Sequence, residues 1–152
     1  MVRTPVNYLI IEGPDLSGKT TLYNSIHKAT GYRWNIQDRS ALSMLIHAKF
    51  YNREQFSHVE NLRKELLCLN NHMIILLPPW AIIADRFEKR GDEIQNLVSL
   101  KRLYTMFEEA AQEFSSYPNV TVINSEVEDF IESSKYFIFG YNSFWLGNKI
   151  FF

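Results

Sequence analysis

A chain of 152 residues, 46% hydrophobic and 22% charged, has the composition of one globular domain with a moderate core, and not that of a disordered or fibrous protein. Its formal net charge of −1 provides no global attraction toward nucleic acid or a membrane surface. No stretch approaches the roughly 20 apolar residues of a membrane span, and the first apolar run is too short for a secretory signal. The one cysteine, Cys68, cannot close an internal disulfide, so a reducing, cytoplasmic compartment is expected, with Cys68 a small buried hydrophobe on a helix.

In chain order, residues 6–12 form a short apolar run rich in β-formers, the first expected strand. Residues 13–20 read Gly-Pro-Asp-Leu-Ser-Gly-Lys-Thr, which fits G-x-x-x-x-G-K-[ST], the pattern of a phosphate-binding loop. Gly13 and Gly18 allow the tight turns that bring successive N–H groups around phosphate oxygens. Lys19 supplies a point charge for the outer phosphates, and the Thr20 hydroxyl can ligate Mg²⁺. The helix expected over 19–30, with Leu22, Ile26 and Ala29 at helical spacing, turns its N-terminus toward the same anion. Strand, glycine loop and helix is the order that this chemistry requires.

A second strand is expected over 32–37, ending at Asp38-Arg39-Ser40. In an open α/β sheet the carboxyl ends of strands are where ligands bind. A carboxylate there can hold Mg²⁺ through water or take a proton from an attacking hydroxyl, and the adjacent arginine can clamp a phosphate. The same residues also read as an ordinary acidic helix start, with Ser40 as N-cap. Leu42, Leu45, Ile46 and Lys49 then share one helical face, and Phe50 and Tyr51 at its end are aromatic candidates for stacking on an acceptor base. A helix over 54–70 carries Phe56, Val59, Leu62, Leu66 and Leu69 as its stripe. Residues 72–77 are the clearest buried strand, stopped by Pro78-Pro79.

A short helix over 80–90 places Arg86 and Arg90 four residues apart on one face. Two cationic forks beside a phosphate site would offset charge developing in transfer, although such a charged run also reads as a solvated surface. The longest helix is expected over 92–115, with Ile94, Leu97, Val98, Lys101, Tyr104, Phe107, Ala111 and Phe114 on one face. Tyr104 and Phe107 read as core. The last strand is expected over 119–124, and Ser125 starts a final helix. The tail, 136–152, is rich in Phe, Tyr and Trp and can complete the core, form an edge strand or meet a partner. Strands alternating with helices specify an α/β fold with a short, mainly parallel central sheet of about four strands flanked by helices.

The glycine loop with Ile11, Glu12 and Asp15, the Asp38-Arg39-Ser40 turn, and Pro78-Pro79 followed by Arg86 and Arg90-Gly91-Asp92-Glu93 together resemble the thymidylate kinase-like nucleotide kinases, a branch of the P-loop kinases. The likeness runs from about residue 6 to 126. It implies a three-layer P-loop kinase domain over 1–152, with an arginine-bearing lid around 80–95. It implies ATP and Mg²⁺ held by the loop, that is by Gly13, Pro14, Asp15, Leu16, Ser17, Gly18, Lys19, Thr20 and Thr21. Asp15 would lie toward the acceptor, and Asp38 would organise Mg²⁺ or act as base. Arg39 would grip the transferring or acceptor phosphate, and Arg86 and Arg90 would close over the phosphates. The acceptor implied is a deoxypyrimidine nucleoside monophosphate such as dTMP or a modified analogue, and a homodimer fits the resemblance.

The chain departs from the family in lacking the strand and helices usually inserted before the Asp-Arg strand, and in carrying Ser40 where thymidylate kinases have an aromatic residue. The compact form suits a viral version, which would work in a host's cytoplasm. Two other classes stay open on these residues: a nucleotide-binding switch or degenerate binding module, and a kinase acting on a deoxynucleoside, on nucleic-acid ends or on modified bases. Near-neutral charge does not favour the nucleic-acid reading.

Overall fold

The structure, a computed structural model, describes residues 8–30, 35–91, 96–127, 137–139 and 142–144. Four strands, β1 (Tyr8–Glu12), β2 (Ile36–Asp38), β3 (Asn71–Leu76) and β4 (Val120–Ile123), pair in parallel in the order β2-β1-β3-β4. Parallel neighbours need crossover connections. Five helices supply them: α1 (Lys19–Thr30), α2 (Ala41–Phe50), α3 (Phe56–Leu67), α4 (Trp80–Arg90) and α5 (Leu97–Phe114).

Successive side chains of a strand point to opposite faces, and both faces here are apolar. Leu9, Ile11, Ile74 and Leu76 pack on Leu22 and Ile26 of α1. Ile10, Met73 and Ile75 face the other way, onto Leu42 and Ile46 of α2, Leu62 of α3, Ile83 of α4 and Phe107 of α5. The expected α/β architecture, a four-stranded parallel sheet between helices, is therefore the observed one. The helices that follow the adjacent strands β1 and β3 lie on opposite faces, α1 on one and α4 on the other. The chain diverges between those two strands, and a crevice opens at their carboxyl ends.

Several expected boundaries move. β1 starts at Tyr8 within the described residues, β2 is Ile36–Asp38, and β3 runs Asn71–Leu76 into the prolines. α3 is shorter than the expected 54–70, and its stripe is only half used. Leu62 and Leu66 are buried, whereas Phe56 and Val59 are exposed because the first turn of the helix is not covered, and Leu69 is exposed in the turn beyond its end. Cys68 is the extended, partly exposed C-cap of α3 and not a buried helical residue. In α5 the buried stripe begins one turn later than expected, at Leu100, Leu103 and Tyr104, leaving Val98 80% exposed. Its N-cap, Asn96, accepts from the Ser99 amide at 2.7 Å. Lys101 is exposed, with its ammonium 4.8 Å from the Trp80 ring centroid, so the stem lies along aromatic surface. The Gly91 backbone closes α4 in the left-handed conformation.

Ile94 and the rest of 92–95 lie outside the described residues, as does the expected final helix beyond Val127. Within the aromatic tail, β5 (Phe137–Phe139) and β6 (Asn142–Phe144) pair antiparallel.

Phe107→Ala, at a side chain 1% exposed, is expected to lower the unfolding free energy by about 3–5 kcal/mol in urea titrations. Val98→Ala is expected to change it by less than about 0.5 kcal/mol.

Candidate functional site

The loop between β1 and α1 is held in a shape that few sequences permit. Gly13 has φ +150°, and a Cβ there would stand 2.6 Å from the Leu76 carbonyl oxygen. Gly18 has φ +96°, and its Cβ would meet Val127 Cγ1 at 2.7 Å. Leu16 is also left-handed, at φ 67°, a strained conformation of the kind that clusters at functional sites. Lys19 Nζ donates to the carbonyls of Gly13 (3.0 Å) and Pro14 (2.7 Å), spanning the loop. Lys19 is 8% exposed. Burial, with the Arg39 cation nearby, lowers its pKa to about 8. The Ser17 hydroxyl is buried in the loop with no hydrogen-bond partner among the described residues. Thr20 and Thr21 are exposed in the first turn of α1, which carries no acidic residue. The first N–H groups of that helix have no intrahelical acceptor and face an anion-compatible end.

The turn after β2 is drawn onto this loop. Asp38 stands in register with Ile11, and the Arg39 amide extends the ladder to the Ile11 carbonyl at 3.0 Å. Arg39 then turns left-handed, with φ 66°. Its Nη2 pairs with the Asp15 carboxylate of the loop, and its Nη1 donates to Ser43 Oγ at 3.2 Å. Glu12, at the end of β1, is fully buried. One of its carboxylate oxygens accepts from the Ser40 amide, the other from Ser43 Oγ at 2.6 Å. Burial raises its pKa to about 7 against the pull of those two bonds and of Arg39 and Lys19.

Ser40 occupies the N-cap position of α2, as expected, but its side chain does not cap the helix. Its hydroxyl donates instead to Glu65 of α3 at 2.8 Å, while Glu12 takes the Ser40 amide and Glu65 the Ala41 amide. From the other side of the crevice, Arg86 of α4 donates to the Leu16 carbonyl at 2.7 Å.

These elements enclose a cleft of about 490 Å³ lined by Asp15, Leu16, Gly18, Lys19, Thr20, Thr21, Asp38, Arg39, Arg86 and Arg90. Four cations face two carboxylates there. Of the residues singled out in the sequence, Gly13, Pro14 and Ser17 complete the loop behind the cleft. Phe50 and Tyr51 do not reach it. They end α2, about 14 Å of helical rise from its start. Phe50 packs against the core beneath the Arg102 guanidinium, and Tyr51 stacks under Arg53. The charged run of α4 divides between two roles. Asp85 and Lys89 form an exposed pair at 2.9 Å, while Arg86 and Arg90 line the cleft. A second, open groove of about 640 Å³ shares Arg39, Ser40 and Ser43 with this region and continues past Met44, His47, His58, Asn61 and Lys64.

Glu12, Ser43 and Glu65 carry this arrangement without having been singled out as site residues. A signal for Glu12 was present: a charged residue ending an apolar strand at the sheet centre is buried and must find partners. Comparison of the chain with protein-family models and with curated proteins finds no match. No helix among the described residues is long and apolar enough to cross a membrane.

Gly13→Ala is expected to destabilise the fold by about 1–3 kcal/mol, because strain and collision with the Leu76 carbonyl combine. Gly91→Ala, also at positive φ but with open space around the new Cβ, is expected to lose about 1 kcal/mol. Urea unfolding of the two variants checks the difference.

Proposed function

We propose that the protein transfers the γ-phosphoryl group of ATP to a nucleotide, with a deoxypyrimidine nucleoside monophosphate such as dTMP or a modified analogue as the favoured acceptor. The observation that carries this reading is the convergence of Lys19, Arg39, Arg86 and Arg90 with Asp15 and Asp38 on the N-terminal end of α1. Loop amides, Lys19 and the Ser17 and Thr20 hydroxyls are the donors for the polyphosphate. The Ser17 Oγ, which has no hydrogen-bond partner among the described residues, fits a loop with a donor to spare for an anion. Mg²⁺ usually takes one or two carboxylates along with phosphate oxygens. Thr20 and Asp38 are the residues that would hold it, and it would offset charge on the transferring oxygens.

The chain's own residues then act by position and charge. Arg39, on the wall between cleft and groove, would meet the phosphate of an acceptor lying along the groove. Asp38 would accept the proton or fix the metal, and Arg86 and Arg90 would close on the phosphates from α4. Base recognition falls to the polar groove residues, since Phe50 and Tyr51 are engaged elsewhere.

The decisive test is a phosphoryl-transfer screen with Mg·ATP against all nucleoside monophosphates and nucleosides, read by mass spectrometry. Transfer to one of the monophosphates is expected. Lys19→Ala is expected to abolish it while the protein still unfolds cooperatively. Tight nucleotide binding with no transfer to any acceptor would replace this reading with a binding module.

A second expectation follows from the lowered Lys19 pKa. A phosphate anion favours the ammonium and raises that pKa again. Lys19 should therefore take up protons on ATP binding near about pH 9 and contribute little near about pH 7, where it is already charged. Calorimetry in buffers of differing ionisation enthalpy reads this directly.

A further inference from the structure

We infer that Glu12 is a positioning residue, which sets Arg39 at the phosphate cleft by gripping it from two directions, through the Ser40 main chain and through the Ser43 hydroxyl. The inference rests on the proposed transfer reaction for its kinetic consequence, and on geometry alone for the placement of Arg39.

The Arg39 backbone is left-handed, a conformation that a non-glycine residue keeps only where its surroundings impose it. The residue immediately after it is tied down, since the Ser40 amide donates to the Glu12 carboxylate. The side chain is tied one helical turn further on. A serine hydroxyl has one proton to give and two lone pairs to receive. Ser43 gives its proton to the second oxygen of Glu12 at 2.6 Å, so a lone pair is left for Arg39 Nη1 at 3.2 Å. The guanidinium then has its other edge for Asp15 of the loop. One carboxylate thus fixes both the base and the tip of the arginine.

Glu12 is itself well placed to act as a fixed point. It ends the strand at the sheet centre, in register with Ile75 of β3, and it is fully buried. Its role needs two acceptor oxygens. Glutamine offers one acceptor, and its NH₂ would compete with Arg39 for the Ser43 lone pairs. Glu65 holds Ser40 Oγ and the Ala41 amide from the opposite side, so the start of α2 stays anchored when the Glu12 contacts are altered.

The test uses Glu12→Gln and Ser43→Ala in the full chain, with two readouts. The first needs no turnover: the side-chain N–H resonances of Arg39 in ¹⁵N NMR. In the parent protein the guanidinium is expected to rotate slowly, and in both variants quickly. The second is kinetic, with Mg·ATP and the monophosphate found by the screen. Both variants are expected to lose about tenfold in kcat with ATP affinity unchanged. Combined with Arg39→Ala they are expected to lose nothing further, because their effect runs through that arginine.

A guanidinium held as firmly in both variants as in the parent, or losses that add fully to those of Arg39→Ala, would overturn the inference. If Glu12→Gln does not fold, Ser43→Ala, which keeps the buried carboxylate, decides the matter. If the parent protein transfers phosphate to no acceptor, the proposed function falls, and the resonance measurement by itself supports or overturns the placement of Arg39.

Discussion

Burying a carboxylate at the end of a central strand is unfavourable unless its oxygens find donors, and the geometry of this site follows from how Glu12 finds them. The donors come from the segment that follows β2, namely the Ser40 amide and the Ser43 hydroxyl. Satisfying Glu12 therefore pulls the 38–43 turn against the end of β1, where the glycine loop begins. The loop and the turn meet because the same strand end serves both. Glu65 completes the arrangement from α3, so strand, loop and two helices share one knot of hydrogen bonds.

The electrostatics of the cleft depend on that closeness. A chain with net charge −1 gathers four cations and two carboxylates in one place. Lys19 registers the crowding, because burial and the Arg39 cation both weaken its hold on a proton. Asp15 offsets part of the repulsion by pairing with Arg39. An anion entering the cleft would relieve the rest. In the proposed reading this arrangement is preorganisation, with charge placed beforehand where it is needed during transfer. The tie from Arg86 to the Leu16 carbonyl adds a second link, joining α4 to a loop residue that is itself in a strained conformation.

Much of the fold was legible because its signals are local. The β3 run has apolar side chains on both faces, as a strand covered on both sides should, and two prolines end it. The interval from Lys19 to Thr30 was read as a helix over the same residues, and the stop at Gly91 was visible as a glycine after a basic helix end. The stripes of α3 and α5 were less legible. Periodicity reports which residues could share a face, but it does not report how far a neighbouring helix extends. Phe56, Val59 and Val98 repeat at helical spacing and still face water, because the helices opposite do not cover them.

The sequence by itself determined the order of strands and helices, the glycine loop with its lysine, and the residue types gathered in the cleft, because turn chemistry and periodicity act over a few residues. Tertiary structure alone decided the partners. It set Arg39 between Asp15 and Ser43 and Arg86 on the Leu16 carbonyl, carried Phe50 and Tyr51 away from the cleft, and made Glu12 the common acceptor for two donors. The contacts of Arg39 with Asp15, Arg86 with Leu16, and Glu12 with Ser40 and Ser43 join residues 24, 70, 28 and 31 positions apart. They arise from the parallel pairing of β2 and β3 on either side of β1, which no local pattern in the chain encodes.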